Sequence, residues 1–314
     1  MYPLLVLLGP TAVGKTAVAI KVAKRLKGEI ISADSMQVYR HLDVGTAKPT
    51  QAERAGVPHH LIDVVEPNEE FNVVRFQTEV KRLVPEIAGR GHLPMLVGGT
   101  GLYIRAVVDN YNFSPGGPNP LLRATLRERA EREGAAALYA ELKELDPLAA
   151  ARIQPTDVRR IIRALEVKKL TGQRISERGK GPPLYRTLQI GLIRERQRLY
   201  AAIDARVDEM IEQGLIEETR WLLAQGYPET LPVFQALGYK EMIPYLRGEA
   251  TLEEARRILK RETRHFAKRQ LTWFRRDKRI IWLDRDAFSR EEDLVEEIAR
   301  LAEGKLLGDH ECNQ

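Results

Sequence analysis

A single cysteine, Cys312 in a polar tail, is all the thiol chemistry that 314 residues offer. One thiol closes no internal disulfide and builds no metal cluster, so a reducing cytoplasm is the expected compartment. Long apolar runs are missing too. No stretch approaches the roughly 20 residues that cross a bilayer. The first apolar run, Leu4–Leu8, is short, has no basic residue before it and ends at Gly9-Pro10. It lacks the flank and the length of a secretory leader and reads as a strand. There is no internal repeat and no low-complexity tract. What remains is 43% hydrophobic and 30% charged, the balance of a soluble globular protein long enough for one large or two modest domains.

The net charge is +6, and its distribution is uneven. Between Arg256 and Arg279, eleven Lys or Arg stand against Glu262 and Asp277, so that segment is +9 and the rest of the chain is −3. Charge gathered in this way is the footprint of a polyanionic partner. A solvated helix face is the plainer reading of a charge run.

Along the chain, Leu4–Leu8, Glu29–Ala33, Leu93–Val97, 187–193 and 279–284 read as strands, with a short one at Leu61–Val65. Helical spacing follows the first loop over Thr16–Leu26 and recurs at Phe71–Ile87. Strand, loop, helix, strand is a βαβ pattern, which predicts a parallel sheet flanked by helices. Two Gly/Pro-rich breaks, residues 112–120 and 172–186, bracket a charged helical stretch. The expected architecture is therefore α/β: a P-loop NTPase-like core of residues 1–112 and 187–314, carrying C-terminal basic helices, with an inserted all-helical domain at 113–186.

Gly9, Pro10, Thr11, Ala12, Val13, Gly14, Lys15 and Thr16 match G-x-x-x-x-G-K-[ST] in full, with a strand before and a helix after. Successive backbone N–H groups cradle phosphate oxygens, the helix N-terminus adds its positive end, Lys15 adds a cation, and the Thr16 hydroxyl is suited to Mg²⁺. The pattern does not say whose phosphate is held, since a diphosphate ester would suit it as well as ATP. Asp34 stands at the carboxyl end of the second strand, where ligands of open α/β sheets sit. It can be an N-cap, an outer-sphere partner of bound Mg²⁺ or a general base. Glycines 98, 99 and 101 with Thr100 mark a third strand end. In 252–277, Arg257, Arg261, Arg264, Lys268 and Arg275 fall on one helical face, while Leu252, Ala255, Leu259, Phe266 and Trp273 mark another. The cationic stripe spans about 27 Å, enough to follow several phosphates of a nucleic-acid stem. Arg159, Arg160 and Arg163 form a second basic cluster, and the two together suggest a clamp on nucleic acid.

Taken together, "GPTAVGKT", "SADSMQVYRHLDVGTAKP", "VPHHLIDV", "FNVVRFQ", "VGGTGLY", "RRIIRALEV", "QALGYKEM" and "KRQLTWFRR" resemble the tRNA dimethylallyltransferases, over nearly the whole chain. Nothing in the sequence suggests an obligate dimer or a membrane association, so a monomeric cytoplasmic enzyme is expected. The resemblance implies transfer of a five-carbon prenyl group from dimethylallyl diphosphate to the exocyclic amine of the adenosine just 3′ of the tRNA anticodon, with Mg²⁺ as cofactor. The loop Gly9–Thr16 would then grip the diphosphate leaving group, and ATP would not be consumed. Asp34, Thr11 and Lys15 are implied as catalytic, Asp34 taking the amine proton. Arg196 is implied as a further diphosphate ligand, with Arg194 and Arg198 as alternatives. Asp34, Ser35, Met36, Gln37, Thr100 and Arg123 are implied as tRNA contacts, together with Arg159, Arg160, Arg163, Lys240, Lys268, Arg269 and Arg275. Trp273 and Phe274 are either core or stacking platforms for bases. Two rivals stand beside this reading: a small-molecule kinase and a non-catalytic RNA-binding module.

Overall fold

The computed structural model describes residues 1–113, 117, 119–177 and 179–308. Cys312 lies outside them, as does part of the 112–120 break. The opening apolar run forms β1 (Tyr2–Leu8). Leu4, Val6 and Leu8 join one buried cluster, and Leu5 and Leu7 join another. A strand buried on both faces reads as a continuous apolar run, because neither face can be polar. The chain continues through α1 (Lys15–Leu26), β2 (Gly28–Ala33), α2 (Gln51–Arg54), β3 (His59–His60), α3 (Val73–Gly89), β4 (Leu93–Gly98) and α4 (Gly101–Val108).

A second compact unit, Asp109–Pro183, holds α5 (Pro120–Glu133), α6 (Ala135–Leu145), α7 (Pro147–Ala150) and α8 (Val158–Thr171). It has a core of its own around Leu126, Leu138, Leu142, Ile161 and Leu165. From Leu184 the chain returns to the first unit with β5 (Tyr185–Ile193), α9 (Arg196–Glu212), α10 (Leu215–Ala224), α11 (Tyr239–Leu246), α12 (Leu252–Phe274), β6 (Ile281–Asp284) and α13 (Glu291–Ala302).

The six strands run β3-β2-β4-β1-β5-β6, and every pairing is parallel. Because β4 lies between β1 and β2, three strand ends adjoin: the glycine loop, Asp34 and the Gly98–Gly101 turn. That edge is where an open α/β sheet takes its ligand. Among the described residues no helix is long and apolar enough to cross a membrane.

Two elements differ from the sequence reading. The strand expected at Leu61–Val65 does not form, because Leu61 (φ 61°) and Asp63 (φ 56°) are left-handed. Pairing at this edge is limited to His59–His60 and one bridge between Tyr39 and Val65. Helix α12 ends at Phe274, so Arg275 caps it instead of extending its cationic face.

Candidate active site

The glycine loop leads into α1, whose N-cap is Gly14 at φ 91° with no side-chain cap. The first-turn N–H groups are therefore available to an anion, and the helix dipole favours one. A side chain at Gly14 is disfavoured by the left-handed backbone, and its Cβ would fall 1.5 Å from Arg285 Nη1, so the guanidinium would have to move. Arg285 braces the loop from outside. It donates to the Val13 carbonyl (3.1 Å) and pairs with Glu291 (2.5 Å). Lys15 Nζ donates to the Pro10 carbonyl at 2.6 Å. Burial pushes the Lys15 pKa down to about 7, the positive charge of Arg206 adds to that, and the Asp34 carboxylate partly opposes it.

One cavity is lined by Thr11, Lys15 and Thr16 from this loop, Asp34 and Gln37 after β2, and Arg206 from α9. Asp34 Oδ1 accepts the Met36 N–H at 2.9 Å, which turns the chain away from β2. The Ser35 N–H donates to Thr100 Oγ1 (3.1 Å), and the Thr100 N–H donates to the Ala33 carbonyl (3.1 Å). These bonds tie the ends of β2 and β4 together. Gln37 is fixed at both ends of its amide. Its Oε1 accepts from Ser32 Oγ (2.9 Å), and its Nε2 donates to the Thr46 and Ala47 carbonyls.

The loop that carries those carbonyls is irregular but anchored. Lys48, nearly fully buried, reaches Asp43 (2.8 Å) and Asp63 (2.6 Å). Glu218 of α10 accepts three successive backbone N–H groups, from Asp43, Val44 and Gly45, at 2.6, 2.9 and 2.8 Å, and also the Tyr239 hydroxyl at 2.7 Å. The "QALGYKEM" stretch thus works as a buttress: Tyr239 is fully buried, and Glu241 accepts the Gly238 N–H.

The arginine in the cavity is Arg206, not Arg196. The Arg196 guanidinium lies over the Tyr200 ring at 5.2 Å and does not line the cavity, while Arg194 and Arg198 pair with Asp286. Arg206 stands ten residues further along α9, about 15 Å at the helical rise. Its pKa is lowered by burial, with Asp34 and Glu209 opposing, yet a guanidinium stays charged. The signal was present in the sequence: Arg206 shares the inward face with Leu199, Ile203 and Val207, so it is a cation on an apolar stripe. Gln270 shows the same signature on α12, among Ala255, Leu259, Ala267 and Phe274. Both were missed.

Ser35 and Met36 do not line the cavity, and Lys240 is half exposed beside Glu241. Arg264 departs from the cationic stripe. It pairs with Asp204 (Nε to Oδ1, 2.9 Å) and lies over Tyr200, while Arg256 and Lys260 pair with Asp208 and Arg261 with Glu262. Arg257, Lys268, Arg269 and the capping Arg275 remain exposed. Phe274 is buried, and Trp273 packs against Gly101, so both serve the core.

In the second unit, Glu166 is fully buried and holds Arg123 (2.8 and 2.9 Å), Arg163 (2.5 Å) and the Asn119 N–H. Burial raises its pKa, but the bonds from Arg123 and Arg163 outweigh that and hold it below the usual carboxylate range. Arg160 pairs with Asp157, and Arg159 is exposed.

Among the described residues no cluster of three or more His, Cys, Asp or Glu could hold a metal. The oxygen donors that line the cavity, on Thr16 and Asp34, suit a hard cation that completes its shell with phosphate oxygens and water. Mg²⁺ fits this set jointly with a diphosphate.

A family model described as IPP transferase matches residues 37–277, and one described as Isopentenyl transferase matches residues 2–66. The tRNA dimethylallyltransferase of Symbiobacterium thermophilum is 53% identical over 96% of this chain and 96% of its own. That of Heliobacterium modesticaldum is 51% identical over 98% of each. Among solved structures, the full-length tRNA isopentenylpyrophosphate transferase of Bacillus halodurans is 46% identical with a TM-score of 0.75, covering 98% of both chains. A eukaryotic dimethylallyltransferase acting on tRNA is 28% identical with a TM-score of 0.83, covering 100% of this chain and 81% of its own.

Proposed function

The chain belongs to the tRNA dimethylallyltransferase family, and from that premise we propose how its cavity performs the reaction. The protein is an enzyme that prenylates tRNA. It moves a dimethylallyl group from dimethylallyl diphosphate to the exocyclic amine of the adenosine 3′-adjacent to the anticodon, and it releases diphosphate. The observation that carries the mechanism is that Lys15, Asp34 and Arg206 line one cavity.

An adenine amine is a weak nucleophile, because its lone pair is delocalised into the ring. The C–N bond forms as the C–O bond to diphosphate breaks, and two kinds of help are required. The Asp34 carboxylate accepts the amine proton, a contribution of about 10²–10⁴-fold. Lys15, Arg206, the Thr11 and Thr16 hydroxyls and the loop N–H groups of residues 9–16 stabilise charge gathering on the diphosphate. Mg²⁺, held by the Thr16 hydroxyl and the diphosphate, supplies further charge neutralisation when bound. The base leaves its stack to reach Asp34, and Gln37 meets it at the cavity, next to the turn in which Thr100 accepts the Ser35 N–H. Lys268, Arg269 and Arg275 take tRNA phosphates, as do Lys240 and the basic residues Arg159, Arg160, Arg163 and Arg123 of the inserted unit. The working unit is read as a monomer that acts in the cytoplasm with its tRNA.

The test is incubation with labelled dimethylallyl diphosphate, Mg²⁺ and bulk tRNA, followed by nucleoside analysis. Label in one modified adenosine without added ATP is the expected result. Unlabelled tRNA, or tRNA-independent ATP hydrolysis, would overturn the reading in favour of a kinase.

A further inference from the structure

Helix α12 does more than display cations. On its inward face Gln270, almost fully buried, bridges two loops that belong to different strands. Its Oε1 accepts the Thr11 N–H at 2.9 Å, and its Nε2 donates to the Gly99 carbonyl at 2.9 Å. Thr11 lies in the phosphate loop after β1, and Gly99 lies in the turn after β4 that also carries Thr100. One amide therefore joins the diphosphate side of the cavity to the base side. The fit is close from the Gly99 direction: a Cβ there would lie 2.3 Å from Gln270 Nε2. One turn along, Trp273 closes on Gly101 in the same way, with a Cβ at 2.3 Å from its ring. An amide is suited to this place, because it presents an acceptor and a donor on two separate atoms at the tip of one uncharged side chain.

We propose that Gln270 is a positioning residue for prenyl transfer: it sets the phosphate loop through the Thr11 N–H and the Thr100 turn through the Gly99 carbonyl, so that leaving group and acceptor meet at the right separation. This rests on the prenyl-transfer reading above. Losing both bonds frees Thr11, which lies on the donor side, while the cationic residues that hold RNA are untouched. The perturbation therefore falls on donor binding and on the alignment of the two reacting groups, not on RNA affinity. Reacting atoms displaced by even about 1 Å lose up to 10²-fold in rate.

The experiment compares Gln270→Met, which keeps length and helix propensity but removes donor and acceptor, with the wild-type enzyme. Expected are a KM for dimethylallyl diphosphate raised about 10-fold, a lower kcat, and a Kd for an anticodon stem-loop within about two-fold of wild type. If the variant fails to fold, Gly99→Ala, which pushes the amide away from the opposite side, must give the same pattern. Unchanged KM and kcat in a folded variant would overturn the proposal. So would a fall in kcat that only tracks the folded fraction, with both substrate constants unmoved. A failure of the prenyl-transfer reading looks different, because then the wild-type enzyme itself transfers nothing.

Discussion

At Lys15 two requirements oppose each other. The cation must meet a diphosphate, yet burial, with Arg206 beside it, holds its pKa down at about 7. A bound polyanion removes that penalty, so Lys15 takes up a proton on binding wherever the free enzyme has lost it. The sign follows directly: above pH 7 binding is coupled to proton uptake and weakens as pH rises, and below pH 7 the coupling fades. Titration calorimetry with dimethylallyl diphosphate at pH 8, in buffers of different ionisation enthalpy, should show close to one proton taken up per site. Lys15→Arg, which cannot deprotonate, should abolish the uptake. Uptake that persists in that variant would place the titrating group elsewhere. The same residue scale shows what the sequence hides. Lys15 and Asp34 are legible because a motif and a strand end mark them. Arg206 is marked only by its place on the apolar stripe of Leu199, Ile203 and Val207, and that stripe does not say that α9 crosses the crevice.

Among the elements, α12 carries both faces of the proposal. Its sequence reads correctly as an amphipathic basic helix, and its inward residues Ala255, Leu259 and Phe274 are buried. The stripe was overread at Arg264, because a carboxylate on a neighbouring helix, Asp204, claims it. Spacing along one helix cannot reveal a partner supplied by another. The exposed cations are the ones to test. Replacing Lys268, Arg269 and Arg275 together by Ala should lower the slope of log K against log salt for stem-loop binding by about two units. Equal slopes would remove this helix end from the RNA interface. The edge strand teaches the converse lesson. Leu61–Val65 has a strand's composition, but left-handed backbone at Leu61 and Asp63 brings Asp63 to Lys48, and that tertiary ion pair overrides local propensity.

Across the whole molecule, chemistry gathers at the carboxyl edge of the sheet, and the opposite end of β2 carries a stability device instead. Glu29 is buried there and receives Arg90 (2.7 Å), His60 (2.7 Å) and His92 (2.6 Å). Burial alone would raise its pKa, but these hydrogen bonds outweigh it and hold it at about 2. A carboxyl depressed below its unfolded value stabilises the fold above about pH 4.5, and that stability is lost as pH falls towards 2. Glu29→Gln should cost about 3 kcal/mol at neutral pH and flatten the acid limb of the unfolding curve, measured by denaturant melts from pH 7 to 3. An unchanged acid limb would deny Glu29 that role. The parallel sheet and its helical layers were readable from periodicity, and the phosphate site from its motif. The convergence of α9, α10 and α12 on the three strand ends was not, because it is set by packing between distant segments. That convergence gives the account its central claim, a carboxylate and a phosphate cradle acting on one reaction. Single-turnover transfer by Asp34→Asn tests it most directly. The account predicts a rate lowered by about 10²–10⁴-fold with stem-loop binding kept within a few-fold, and a near wild-type rate would contradict it.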